Sequence, residues 1–175
     1  VRRNVDITYL VHNNQVYGLT KGQASPTSDP GFVTKTTPQG AIAPLNPLAV
    51  ALAAEGTFVA RGYAADIPHL AGLIRQGIEH RGFSLIDILQ PCVSYTHQTT
   101  YQWFRQRVYR LEESGYQPVD RFVAFQKAQE WGDRIPIGVF YRGERPVFED
   151  TFPALRGEPL YRQPLFLEKN FGPYT

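Results

Sequence analysis

One stretch decides the fold class that this sequence predicts: residues 5–22, VDITYLVHNNQVYGLTKG. Its first seven residues are mostly apolar or β-branched, and they end at His12, Asn13 and Asn14, polar residues that favour a turn. A short apolar run of this kind is typical of a buried strand in a parallel sheet. Because ligands bind beyond the carboxyl ends of such strands, the turn that begins at Asn13 is the first candidate binding site.

The rest of the chain alternates between strand-like and helix-like segments. Further strands are predicted at residues 57–60, 83–89 and 135–141, and helices at 47–56, 66–82, 99–115 and 121–131. Asn46 and Asp66 have the residue types of helix N-caps, and a proline follows each within the first turn. This order predicts βαβ units, and therefore an α/β fold whose parallel sheet lies between two helical layers, as in Rossmann-like proteins.

The segment between the first strand and the first helix has a different composition. Residues 17–45 are rich in Gly, Pro, Ser and Thr and show no sustained apolar period. Structureless segments of this length inside compact domains are usually functional or mobile. The sequence therefore predicts a long loop here.

Composition excludes several classes of protein. The 175 residues are 42% hydrophobic and carry a net charge of +2, which predicts one globular domain and no nucleic-acid partner. No apolar run is long enough to cross a membrane. Cys92 is the only cysteine, so no internal disulfide forms, and a cytoplasmic location is expected. Because the chain lacks methionine and opens at Val1 directly before a strand, we expect it to be part of a longer protein.

The turn after the first strand has the chemistry of a metal-bound diphosphate site. Mg²⁺ prefers oxygen ligands, and the Asn14 side chain and the Val16 carbonyl would supply two. Gly18 and Gly22 allow the backbone to approach phosphate oxygens closely, and Lys21 adds a positive charge. The alternative is an ordinary turn with a solvated lysine, and these residues alone do not separate the two.

A longer match favours the diphosphate site. Residues 13–27, NNQVYGLTKGQASPT, closely resemble the β subunits of the 2-oxoacid:ferredoxin oxidoreductases, and the resemblance covers about residues 1–142. It implies a thiamine-diphosphate-binding fold. In that fold Asn-Asn closes a motif that opens with Gly-Asp-Gly, which would precede Val1. We therefore expect residues 1–142 to be the C-terminal part of a thiamine-diphosphate domain whose N-terminal part is missing. Residues 143–175 would be an extension that packs on the surface or on a partner.

The resemblance assigns roles to individual residues. It implies that Asn14, through its side chain, and Val16, through its carbonyl, ligate Mg²⁺. Together with Leu19 and Thr20 they would bind thiamine diphosphate. Lys21 would bind coenzyme A, and no residue of this chain is assigned a catalytic role.

Cys92 has two interpretations. A lone cysteine after an apolar strand is usually a small buried hydrophobe. The resemblance instead places it as one ligand of a [4Fe–4S] cluster whose three other cysteines lie outside this chain.

The implied activity is oxidative decarboxylation of a 2-oxoacid to acyl-CoA and carbon dioxide, with reduction of ferredoxin. An α subunit, ferredoxin and coenzyme A are the expected partners. Residues 19–23, LTKGQ, look more like enzymes that take 2-oxoglutarate or several 2-oxoacids than like the pyruvate-specific form. Three alternatives stay open: a thiamine-diphosphate decarboxylase or synthase without ferredoxin, a catalytically silent scaffold subunit, and an α/β nucleotide-binding module.

Overall fold

The structure is a computed structural model that describes residues 1–163, so part of the predicted extension, residues 164–175, lies outside the described residues. Seven strands and four α-helices make up this part of the chain. The strands are β1 Ile7–Asn13, β2 Val16–Tyr17, β3 Gln23–Ala24, β4 Phe58–Tyr63, β5 Phe83–Leu89, β6 Val108–Arg110 and β7 Ile135–Arg142. The helices are α1 Pro47–Ala53, α2 Ile67–Glu79, α3 Tyr101–Arg105 and α4 Arg121–Ala128.

Five of the strands form one mixed sheet in the order β1-β5-β4-β7-β6. Strands β1, β5 and β4 are parallel to one another, and β6 is parallel to β7. The pairing between β4 and β7 is antiparallel, with an irregularity between Val59 and Ala60. The predicted sheet is therefore confirmed as mainly parallel, but its two last strands run in the opposite direction.

Helices cover both faces of the sheet, as the sequence predicts. Helices α1 and α4 pack on one face, where Leu48 and Leu52 meet Val59 and Leu85. Helix α2 packs on the other face, where Leu73 lies against Ile86. Because β1, β5 and β4 run parallel, their carboxyl ends lie at one edge of the sheet. Strands β4 and β5 are buried along their whole length.

The helix predicted over residues 99–115 is wrong beyond its first turn. The apolar spacing there fits a helix, yet α3 ends at Arg105 and the chain continues as strand β6 and a short 3₁₀ helix, Leu111–Ser114. Val108 and Tyr109 have high strand propensity, and β7 offers them a free edge with parallel hydrogen bonds. Tertiary pairing therefore outweighs the local helical period.

Both predicted caps precede their helices, but only Asn46 caps with its side chain. The Asn46 side chain accepts hydrogen bonds from Leu48 N and Ala49 N at the start of α1. Asp66 precedes α2 but makes no cap hydrogen bond with its side chain. Its Oδ2 instead accepts from Arg110 Nη2 at 2.7 Å, so this carboxylate ties α2 to β6.

Residues after β7 return to the start of the chain. Phe148 N donates to Asn4 O, and Asn4 Nδ2 donates to Arg145 O at 2.9 Å. The division of the chain near residue 142 stays a prediction. Among the described residues, no helix is both long and apolar enough to cross a membrane.

Candidate cofactor site

The turn after β1 is built around the side chain of Asn14. Its Oδ1 accepts a hydrogen bond from Val16 N at 3.1 Å. Gln15, between them, has a left-handed backbone with φ of 59°. This local bond is an Asx turn, which holds the Asn14 oxygen beside the main-chain N–H of Val16.

A second layer of hydrogen bonds holds the turn from the long loop. Gln15 Nε2 donates to Thr27 O and to Asp29 Oδ1 at 3.0 and 3.1 Å, and the Ser28 hydroxyl donates to Gln15 O. Trp131 Nε1 donates to the same Asp29 oxygen at 2.9 Å. Burial raises the pKa of Asp29, and its hydrogen bonds with Gln15 and Trp131 oppose that rise. The long loop is therefore well ordered where it meets the turn.

Four of the predicted site residues line one open cavity of about 590 Å³, whose wall consists of residues 11–20 with Gln23, Ser25 and Thr27. Asn14, Val16, Leu19 and Thr20 all lie in this wall. The Leu19 side chain is 99% exposed, so it presents an apolar surface at the rim. Lys21 is exposed at the adjacent position, in a left-handed conformation with φ of 67°, and does not line the cavity.

The oxygen atoms of the turn are suitable ligands for a hard divalent cation. An amide oxygen has two lone pairs, so Asn14 Oδ1 can bind an ion while it accepts from Val16 N. Within residues 1–163 no three His, Cys, Asp or Glu side chains gather into a metal site. The turn therefore offers neutral amide and carbonyl oxygens, which suit Mg²⁺ already bound to an anionic diphosphate. The remaining ligands would come from the diphosphate and from water.

The loop that carries Cys92 lies beside the turn. Gln90 N donates to Asn13 O at 3.0 Å, and the Gln90 side chain meets His12 Nδ1 at 2.7 Å. Cys92 follows two residues later and is partly buried. The structure thus brings Cys92 and the Asn13–Asn14 turn to the same edge of the sheet, although they are almost 80 residues apart in the sequence.

Gly22 is where these two loops touch. It has φ of 93°, and a Cβ atom there would lie 2.9 Å from Cδ1 of Tyr95, three residues beyond Cys92. Gly22→Ala is therefore expected to destabilise the protein by about 1–3 kcal/mol through backbone strain and to push the loops apart. Thermal unfolding of the native protein checks this.

Gly18→Ala is the matched control for that prediction, because a Cβ at Gly18 meets no atom within 4 Å among the described residues. Equal unfolding midpoints for the two variants would contradict the close contact between the loops.

Two functional candidates inside the sheet were missed by sequence reasoning. Arg61 in β4 and Asp87 in β5 form an ion pair with Nε and Oδ2 3.2 Å apart, and their side chains are only 3% and 1% exposed. Burial raises the pKa of Asp87 and lowers that of Arg61, and their mutual attraction opposes both shifts. The available signal was one charged residue in each of two otherwise apolar strands, which indicates a buried pair.

Two known protein families match parts of this chain. Residues 1–88 match the family described as thiamine pyrophosphate enzyme, C-terminal TPP binding domain. Residues 92–157 match the family that describes the C-terminal region of the pyruvate ferredoxin oxidoreductase β subunit. Residues 89–91, at the carboxyl end of β5, separate the two matches.

Individual relatives agree with these families. The 2-oxoacid:ferredoxin oxidoreductase subunit beta of Saccharolobus solfataricus is 48% identical over 82% of this chain and 50% of its own length. The 2-oxoglutarate oxidoreductase subunit KorB of Mycobacterium tuberculosis is 50% identical over 53% of this chain and 25% of its own. The chain spans about half the length of the curated relatives that match most of it.

A solved structure is similar as well. It is a 2-oxoglutarate:ferredoxin oxidoreductase from Magnetococcus marinus with 2-oxoglutarate, coenzyme A and succinyl-CoA bound. It superimposes with a TM-score of 0.79 at 35% identity, over 84% of this chain and 50% of that one. The fold and the sequence relationship therefore agree.

Proposed function

Because this chain belongs to the β subunits of the 2-oxoacid:ferredoxin oxidoreductases, we propose that it forms the diphosphate-binding side of such an enzyme. The reaction would convert a 2-oxoacid and coenzyme A to an acyl-CoA and carbon dioxide, with electrons passing to ferredoxin. The observation that carries this proposal is the turn at Asn14, whose side-chain oxygen lies beside the Val16 main chain in the wall of a cavity.

The chain's own residues would bind and orient the cofactor. Asn14 Oδ1 and the Val16 carbonyl would hold Mg²⁺, which neutralises the diphosphate. Leu19 offers an apolar contact at the rim, and Thr20 a hydroxyl. When bound, thiamine diphosphate supplies the electron sink that allows a 2-oxoacid to lose carbon dioxide.

Other subunits and substrates complete the proposal. The family's β subunits imply an α subunit, which would close the other side of the cofactor site. The bound 2-oxoglutarate, coenzyme A and succinyl-CoA of the Magnetococcus marinus structure support 2-oxoglutarate or a range of 2-oxoacids as substrate. A cytoplasmic location remains a prediction from the single cysteine.

Lys21 is proposed to bind coenzyme A through the phosphate charges. Lys21→Ala is expected to raise the KM for coenzyme A about 10-fold, because one charge-assisted contact is lost, and to leave the KM for the 2-oxoacid nearly unchanged. Steady-state kinetics of the native complex measure both constants. Lys35→Ala, which removes another exposed lysine of the same loop, should change neither. An unaltered coenzyme A constant in the Lys21 variant counts against this role.

Cys92 is proposed to supply one thiolate to a [4Fe–4S] cluster shared with cysteines outside this chain. Cys92→Ser in the native complex is expected to lower the cluster content severalfold and to slow ferredoxin reduction, because serine is a poor ligand for this cluster. Iron analysis and electron paramagnetic resonance of the reduced complex measure the cluster directly.

The unsubstituted complex provides the decisive reference for the whole proposal. We expect it to contain iron and to reduce ferredoxin only when both a 2-oxoacid and coenzyme A are supplied. An iron-free complex that decarboxylates or condenses 2-oxoacids without ferredoxin would instead identify a synthase or decarboxylase. A complex without any activity would identify a scaffold subunit.

A further inference from the structure

The buried pair of Arg61 and Asp87 has more than a packing role. The two residues occupy paired positions on adjacent parallel strands, and both side chains are almost completely buried. Removing two charges from water is costly, and replacing such a pair by apolar residues is often neutral or stabilising. Stability alone therefore gives little reason to place these residues in the sheet beneath a candidate cofactor site.

The second carboxylate oxygen of Asp87 connects the ion pair to the turn through a hydrogen bond with Asn13. Asp87 Oδ1 accepts a hydrogen bond from Asn13 Nδ2 at 3.0 Å. On the other side of the same amide, Asn13 Oδ1 accepts from the Thr27 hydroxyl at 2.7 Å. Both ends of the Asn13 side chain are thus fixed, and the ionised carboxylate, which can only accept, sets the orientation of the amide.

We propose that Asp87 is a positioning residue for the cofactor clamp: through Asn13 it fixes the backbone from which Asn14 and Val16 would bind the metal. This inference rests on the proposed function. Asn13 is bonded covalently to Asn14, so a rotation of the Asn13 residue would move the Asn14 oxygen away from its place beside Val16. Ligand oxygens must be held to within a fraction of an ångström for Mg²⁺, which tolerates little distortion.

Arg61 has a supporting part in this arrangement. A lone buried carboxyl group takes up a proton, and a protonated Asp87 could donate to Asn13 instead of accepting from it. The guanidinium beside it favours the ionised form. Arg61 itself lies 5.4 Å from the ring centres of Trp131 and Phe140, which favour its positive charge. Within residues 1–163 its Nη1 is buried without a hydrogen-bond partner, so this pair is not optimised for stability.

Two double variants separate positioning from stability. Arg61→Met with Asp87→Asn removes both charges but keeps a side-chain oxygen that can accept from Asn13 Nδ2. Arg61→Met with Asp87→Leu removes the charges and the acceptor together, at a similar side-chain volume. Asp66→Asn is the matched control, because it breaks another Arg–Asp pair, with Arg110, away from the turn.

The readout is the dissociation constant of thiamine diphosphate in saturating Mg²⁺, measured by calorimetry on the native complex after its cofactor has been removed. The variant that keeps the acceptor and the Asp66→Asn control are expected to bind within about 3-fold of the unsubstituted complex. The variant without the acceptor is expected to bind about 10- to 100-fold more weakly, as is typical when the residue that orients a metal ligand is removed. Unfolding midpoints of the cofactor-free complexes show how much of any loss is structural.

Equal affinities for the two double variants would overturn the inference while leaving the proposed function intact. If the unsubstituted complex fails to bind the cofactor, the proposed function is wrong and the inference with it. Should the double variants not assemble, Asn13→Leu tests the same step, because it removes the amide through which Asp87 acts and leaves the Arg61–Asp87 pair in place. We expect it to weaken binding about 3- to 10-fold, and an unchanged affinity would overturn the inference.

Discussion

Asn14→Ala is expected to weaken the binding of thiamine diphosphate in the presence of Mg²⁺ by about 100-fold or more, the largest functional effect in this chain. The substitution removes the proposed metal-binding oxygen. It also removes the acceptor for Val16 N, so the second proposed ligand loses its fixed place. Calorimetric titration of the cofactor-depleted native complex measures this change.

Asn14→Asp is the matched control for that experiment. It keeps an oxygen that can bind Mg²⁺ and accept from Val16 N, so its affinity is expected to stay within about 10-fold of the unsubstituted complex. If the alanine variant bound the cofactor as tightly as the aspartate variant, the turn would not be a metal clamp.

Arg61→Met is expected to cause the largest loss of stability, about 3–5 kcal/mol near neutral pH, because it leaves Asp87 buried without its cation. The charge can then be relieved only by protonation of Asp87. Its pKa, already raised by burial, would rise further once the guanidinium is gone.

The pH dependence of this loss has a defined sign. An acid whose pKa is higher in the folded than in the unfolded state contributes stability at low pH. That contribution is lost as the pH rises from the pKa of the acid in the unfolded state towards its pKa in the folded state. The deficit of Arg61→Met relative to the unsubstituted protein should therefore shrink as the pH is lowered from neutral. Unfolding midpoints measured at neutral and at acid pH check this, and a deficit that grows in acid would contradict the assignment.

Much of the fold follows from local sequence signals. The cap at Asn46 and the strand predicted at residues 5–11 are encoded by neighbouring residues. The strand is found at Ile7–Asn13, however, and it is a partly exposed edge strand instead of a buried one. The segment that failed, residues 106–115, has an apolar spacing compatible with a helix. Residues 108–110 of this segment form strand β6 because they pair with β7, which follows more than 20 residues later. Local periodicity carries no information about such a partner.

The candidate site likewise combines residues that local sequence signals identify with residues that only the fold brings together. The residues of the turn could be proposed as a site because they are contiguous and resemble a known family, and their binding roles stay predictions. The Arg61–Asp87 pair and its link to Asn13 could not, because the three residues come from three strands that only the sheet register brings together. A lone charge in a buried strand signals that a partner exists, but not which residue it is.

The equilibrium binding of thiamine diphosphate to the native complex, titrated with and without Mg²⁺, tests the central claim most directly. The geometry at Asn14 predicts saturable binding of one cofactor per β subunit that requires Mg²⁺ and disappears when a chelator removes the ion. Binding that is indifferent to Mg²⁺, or no binding at all, would contradict it.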